Sequence, residues 1–272
     1  SSDPIRRRCA AFLAIGAMAA LAMPSTAQAA PQLADLDAKQ SMSVKASNGE
    51  RLEGKNLHAI QLATYTAASV DDNTIVGYDL TTNTALASDI TAAAKTAGAT
   101  DANLTVNGKN DPMVWVVKNL TDSRSDPWSG KLRNFCNSLA KQTNFAKQEG
   151  TAVATLSQDK TTMSTGNVLV PGIYAIVDRT PATTTPSGGT AVKTTASIMM
   201  MNGTAVNGIS QLRTASGTTL TLGQVIYKVS SVETPDKKVN VGSTWKDSAS
   251  EAIGKNLTYR VTQKIPNWTG YD

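Results

Sequence analysis

One histidine and two cysteines in 272 residues leave most enzyme chemistry without its parts. His58 has no second His or Cys positioned to complete a usual metal set. It lies in NLHAIQLATYT, where apolar residues alternate, and is expected as a strand residue rather than a base or ligand. A Ser-His-Asp or Cys-His catalyst would have to use His58 with no local motif in support. Cys9 falls in an N-terminal segment read below as removed, so Cys136 stands alone and no internal disulfide is expected. Cys136 itself is expected as a small buried residue on a helix. Aromatic residues make up only 5% of the chain, and Thr, Ala, Ser and Val are abundant. That balance suits β-modules better than a large enzyme core. There is no Gly-rich phosphate loop, no paired-histidine motif and no repeat period. The carboxylate pairs Asp71–Asp72 and Asp122/Asp126 lie in loop-like stretches, where such pairs are solvated or form turns. No catalytic residue, metal or cofactor is therefore assigned.

What is present begins at the N-terminus. IRRRCAAFLAIGAMAALAMPSTAQA joins a basic start (Arg6, Arg7, Arg8) to a short apolar run from Ala10 to about Met23. AQA then places small residues at Ala27 and Ala29. This is the pattern of a secretory signal peptide over residues 1–29, cleaved after Ala29. The apolar run is too short, and Pro24 interrupts it too early, for a membrane anchor. The protein is thus expected to be exported, meeting a membrane only in transit. Residues 1–29 carry three Arg and one Asp, so removing them lowers the net charge from +5 to +3. No basic run remains, and nucleic acid is not an expected partner.

Residues 42–66 read as a hairpin: a strand from Met42 to Ala46, a turn at Asn48–Gly49, and a strand from Leu57 to Thr66. DNTIVGYDL is a further short strand. ALASDITAAAKTA, from Ala85 to Ala97, predicts a helix with Ser88 and Asp89 near its start. A second helix is predicted in DPWSGKLRNFCNSLAKQT, where Leu132, Phe135, Cys136 and Leu139 recur at i, i+3, i+4 and i+7. Strands return in GTAVATLSQ and in GNVLVPGIYAIVD, with a bend at Pro171–Gly172 and a buried run IYAIV. TPATTTPSGGT reads as a flexible tip. AVKTTASIMMMNG and TTLTLGQVIYKVSS read as strands, with Met199 to Met201 in the core, and a last strand spans Leu257–Ile265. A joint is expected near Val232, where SSVETPDKKVN leads into a new first strand. The roughly forty residues after it are too few for a sandwich of their own, so a second unit is expected to be cut short.

That new strand raises a chemical question. Lys237 lies two and four positions from Val239 and Val241, which puts all three on one strand face. A lysine on an apolar face is costly unless something answers its charge. PDKKVNVGSTWKDSASEAIGKNLTYRVTQKIPNWTGYD resembles the opening of the isopeptide-forming domain of Gram-positive sortase-assembled pilins. The matching residues are Pro235, Lys237 and Val239, then Ile253–Gly254, Tyr259 to Thr262, Ile265–Pro266–Asn267 and Gly270–Tyr271. Distance to the valine selects Lys237 over Lys238 as the family lysine. Upstream, LHAIQLATYT is similar to an AYQL strand of the same subunits, and NVLVPGIYAIVD to their L-x-PG-(Y/L)-Y-L-V strand.

The resemblance implies a mainly β fold: an Ig-like β-sandwich over residues 30–231 with one or two inserted helices, then the truncated start of a second β-sandwich over 232–272. It implies a structural pilus subunit at the cell surface, joined to other pilin subunits by sortase and mediating adhesion to host matrix or glycans. In that family a buried lysine attacks an asparagine carboxamide and releases ammonia, assisted by an Asp or Glu. Burial favours the neutral amine, and folding supplies the effective molarity. Lys237 would be the cross-linking lysine, its acid and asparagine falling beyond Asp272. The family's VYPK acceptor motif is absent, but QVIYKVS places Lys228 where the sortase acceptor would lie. Lys45, on an early strand, is the lysine to check for a similar bond in the first domain. The alternative function is a minor tip adhesin whose first domain binds a host glycan or matrix protein.

Overall fold

The computed structural model describes residues 30–120, 130–181, 184–187, 190–194, 200–214, 217–227, 231–233, 236–241, 244–246 and 259–262. Four strands come first: β1 (Gln32–Leu33), β2 (Ser43–Ala46), β3 (Leu57–Asp71) and β4 (Thr74–Thr82). A helical stretch follows, with α1 (Ala87–Thr96), α2 (Asp101–Leu104), the small hairpin β5 (Thr105–Val106) and β6 (Lys109–Asn110), α3 (Pro112–Asn119), α4 (Lys131–Ala140) and α5 (Thr143–Ala146). Then come β7 (Thr151–Val153), β8 (Thr155–Leu156), β9 (Thr162–Ser164), β10 (Gly172–Asp178), β11 (Thr184–Ser187), β12 (Thr190–Thr194) and β13 (Met200–Gly203). The last are β14 (Gln211–Arg213), β15 (Thr219–Thr221), β16 (Gln224–Tyr227), β17 (Ser231–Glu233), β18 (Asp236–Val241), β19 (Thr244–Lys246) and β20 (Tyr259–Thr262). The protein is mainly β, with several sheets and few helices.

The largest sheet runs β13-β10-β3-β4-β14-β15, with β1 and β7 also paired to β3. A second sheet runs β16-β2-β9-β8. The two share a core: Val44, Ala46, Met163, Val225 and Tyr227 from the second sheet cluster with Leu57, Ala59, Tyr174 and Ile176 from the first. The opposite face of β3 and β10 (Ile60, Leu62, Ala63, Tyr65, Ile173, Ala175) clusters with Leu86, Ile90, Phe135, Leu139 and Phe145 of the helical stretch. The central strands are therefore covered on both faces, which explains why IYAIV reads as a continuous apolar run. A register shift between Ile173 and Tyr174 on β10 leaves Leu62 as an extra residue on β3. This bulge changes the alternation, so that Leu62 and its neighbour Ala63 both join the helix-side core.

Two of the passages from one sheet to the other take only one or two residues. At Ala154 it passes from β7, paired with β3, to β8, paired with β9. At Leu222–Gly223 it passes from β15 to β16, and the φ of +81° at Gly223 is one that glycine adopts readily. Gly172 is fixed by a different constraint: a Cβ there would stand 2.1 Å from the backbone oxygen of Ala63 on the neighbouring strand.

The expected hairpin between residues 42 and 66 does not form. β2 pairs with β9 and β16, whereas β3 pairs with β4, β7 and β10. The Asn48–Gly49 signal yields only a short 3-10 turn, Ser47–Gly49. Leu52 then enters the inter-sheet core, fully buried, with its N–H donating to the Lys160 carbonyl at 2.8 Å. Instead β3 turns into β4 at Asp72–Asn73, whose φ values of 45° and 54° match a right-twisted two-residue turn. Asp72 is thus a turn residue.

The two expected helices appear as α1 and α4, and Phe135, Cys136 and Leu139 are buried as the spacing predicts. One or two helices was an underestimate. α3 is a further helix of 8 residues, with Asp111 before it and Pro112 in its first turn, an ordinary helix start. α2 and α5 add one turn each. Within TPATTTPSGGT, Thr184–Ser187 forms a strand that pairs antiparallel with Thr190–Thr194. Pro186 is tolerated because β11 is an edge strand of the sheet β11-β12-β17.

Candidate functional site

Lys237 lies on β18, the centre of a three-stranded sheet of order β19-β18-β20. Its register partner on β20 is Val261, and Val239 stands opposite Tyr259. On the other side Val239 faces Lys246, and Val241 faces Thr244. Opposed residues in an antiparallel pair share a face, so positions 237, 239, 241, 244, 246, 259 and 261 form one side of this sheet, which carries Lys246 and Thr244 as well as the valines. Lys238 falls on the other side, opposite Arg260.

Lys228 lies outside the described residues, and Tyr227 before it ends β16. β16 runs parallel to β2, with Tyr227 opposite Ala46. Tyr227 is 1% exposed, and its hydroxyl donates to Asp178 Oδ2 at the end of β10. The Lys55 ammonium lies 5.5 Å from its ring centroid. Asp178 also accepts from the Thr180 N–H at 2.8 Å, and the Thr180 hydroxyl accepts from the Asn56 N–H at 2.8 Å. Arg179 closes the same end of the sheet, donating to the Glu149 carbonyl at 3.0 Å and to that of Gln148. The C-terminal end of β16 is therefore tied by side chains from β10 and from the segment before β3.

Burial and electrostatics sort the other sites raised by the sequence. Lys45 is exposed on β2, and no lysine with described surroundings is buried. An exposed lysine lacks the apolar cover that attack on an amide within a core requires. His58 sits on β3 with Nε2 2.8 Å from Asn56 Oδ1, and its Nδ1 is enclosed without a hydrogen-bond partner. Asp122 and Asp126 lie outside the described residues. Among the described residues no three His, Cys, Asp or Glu side chains converge as a metal site would require. No described helix is long and apolar enough to cross a membrane. Burial pushes the Tyr174 phenol up to about 12 and those of Tyr65 and Tyr78 upward as well.

Two further carboxylates, buried Asp89 and half-buried Asp111, hold elements together. Asp89, 6% exposed, accepts from the Phe145 N–H at 2.8 Å and from Asn144 Nδ2 at 3.1 Å, pinning α5 to α1. Asp111 accepts from both the N–H and the hydroxyl of Thr82, at 2.8 and 2.5 Å. The second carried a signal, since Asp followed by Pro is a helix-start pair. The first is a long-range pairing that no local pattern encodes.

Comparison with protein-family models, with curated proteins and with solved structures found no match.

Proposed function

We propose that this protein is a structural subunit of a covalently assembled cell-surface pilus, exported through its N-terminal leader and stiffened by a Lys–Asn isopeptide bond at Lys237. The observation that carries the reading is the phase of Lys237 on β18. It occupies a strand face with Val239 and Val241, within a run whose motifs from Pro235 to Tyr271 follow the pilin order. A lysine so placed becomes a neutral nucleophile once its face is covered. The resulting clamp suits a fibre under shear, where unfolding rate decides survival. In this reading the two sheets that share the Val44–Tyr174 core are the Ig-like sandwich of the first unit, and the helical stretch is an insertion covering its second face. β18–β20 begin the second unit. Lys228, one residue past the anchored Tyr227, is the acceptor through which sortase joins one subunit to the next.

The test is assembly on the producing cell. Wall-released protein should run as a ladder of high-molecular-weight species on denaturing gels, and Lys228→Arg should collapse the ladder to monomer. A ladder that survives Lys228→Arg removes the acceptor assignment. Absence of any ladder from the unaltered strain removes the shaft role.

A further inference from the structure

Helix α3 is apolar on both its inner and its outer side, and the half-buried outer residues Val114, Trp115 and Val117 also pack in part against the helix-side core. Pro112, Met113 and Val116 are buried, whereas Val114, Trp115 and Val117 are only half-buried. A surface helix ordinarily turns polar residues to water on that side. Here the outer side forms one wall of a cleft of about 340 Å³, lined by Asn103, Val106, Val114, Trp115, Lys118 and Asn119. The facing wall is the end of α2 and the β5–β6 hairpin, whose turn at Asn107–Gly108 has φ values of 50° and 74°. The Asp111 N–H ties this wall to α3, donating to the Leu104 carbonyl at 2.9 Å. The volume lies near the lower end of ligand clefts, which span about 300–1,000 Å³.

The two amides are oriented before any ligand arrives. Asn103 Oδ1 accepts from the Thr100 N–H at 3.0 Å and from its hydroxyl at 2.8 Å, which leaves the NH2 group to donate outward. Asn119 Nδ2 donates to the Trp115 carbonyl at 2.8 Å, which leaves its oxygen to accept. The cleft thus offers an indole, an oriented donor, an oriented acceptor and the Lys118 ammonium. A phosphate would use the ammonium and waste the indole. A purely apolar ligand would leave both amides unanswered, at a cost. A pyranose ring uses all of them, because its C–H face lies flat on an aromatic ring while its hydroxyls both donate and accept.

We infer that the α2–α3 cleft binds one pyranose unit of a carbohydrate, with Trp115 as the stacking platform, Asn103 and Asn119 reading hydroxyls, and Lys118 favouring an acidic sugar. This rests on the host-glycan adhesion that the pilin resemblance implies and gives it a site, but it needs neither Lys228 nor Lys237, so its failure leaves the ladder test untouched.

The test is titration of the full chain with methyl β-galactoside, methyl α-mannoside, N-acetylglucosamine and N-acetylneuraminic acid, followed by amide and indole NMR shifts. At least one sugar should give saturable shifts at the Trp115 indole and at the Asn103 and Asn119 side chains. If the acidic sugar binds, salt should weaken it. Trp115→Ala should weaken binding at least about tenfold, the scale of losing a central aromatic anchor, while Trp115→Phe keeps a ring and retains most of it. Asn103→Asp keeps the oxygen bonded to Thr100 but loses the outward donor, so it should weaken binding in a folded chain. No saturable shift with any of the four sugars overturns the inference, as does binding that Trp115→Ala and Asn103→Asp leave unchanged.

Discussion

Lysine neighbours valine on two strands, β2 and β18, and the phase differs. On β2, Val44 and Ala46 point into the inter-sheet core at 0% and 4% exposure, and Lys45 between them is exposed. That is ordinary alternation, apolar inward and charged outward. On β18, Lys237 is an even number of positions from Val239 and Val241, and its register partner is Val261. The same residue types therefore mean different things. Phase relative to the valines, rather than the lysine itself, separates a solvated side chain from one proposed to react.

The sharpest way to break this comparison is to put the β18 phase into β2. Val44→Lys would drive an ammonium into a core cluster whose described members carry no charge, and should cost about 4 kcal/mol or more in urea denaturation. A loss of only about 1 kcal/mol would show that the core tolerates charge, and phase would lose its meaning. A smaller effect probes the same core by pH. Tyr174 belongs to the same core cluster as Val44, and burial raises its phenol to about 12, against about 10 when unfolded. Between those values the unfolded chain binds fewer protons, so stability is full below pH 10 and falls as pH rises toward 12. Tyr174→Phe should flatten that decline in alkaline melting curves. The smallest effect belongs to Lys45→Ala, expected to change stability by no more than about 0.5 kcal/mol. A larger change would mean that Lys45 has a role its exposure does not reveal.

Local pattern made part of this fold legible. α4 follows from the spacing of Leu132, Phe135, Cys136 and Leu139, and β10 from an apolar run bounded by Pro171–Gly172. The pairing of β2 was not legible, because Asn48–Gly49 signals a turn without saying what the flanking strands meet. Both edges of β2 are taken by strands more than a hundred residues away in sequence, β9 and β16. α3 escaped notice because PMVWVVKN is apolar nearly all round, so helical period leaves no stripe in it. At the proposed site, the face shared by Lys237 and the valines was legible from spacing alone. Its opposite number, Val261, required the register of β20. The anchoring of Tyr227 by Asp178 and Lys55 joins residues that no motif links, and it emerges only once three chain segments converge.

The proposed covalent bond at Lys237 has a direct readout in intact mass. Full-length protein carrying the downstream asparagine, made without sortase so that it stays monomeric and corrected for the removed leader, should be lighter than its own sequence by one ammonia. Lys237→Ala protein should show its full sequence mass. Unaltered protein at full sequence mass, with no ammonia missing, would contradict the account.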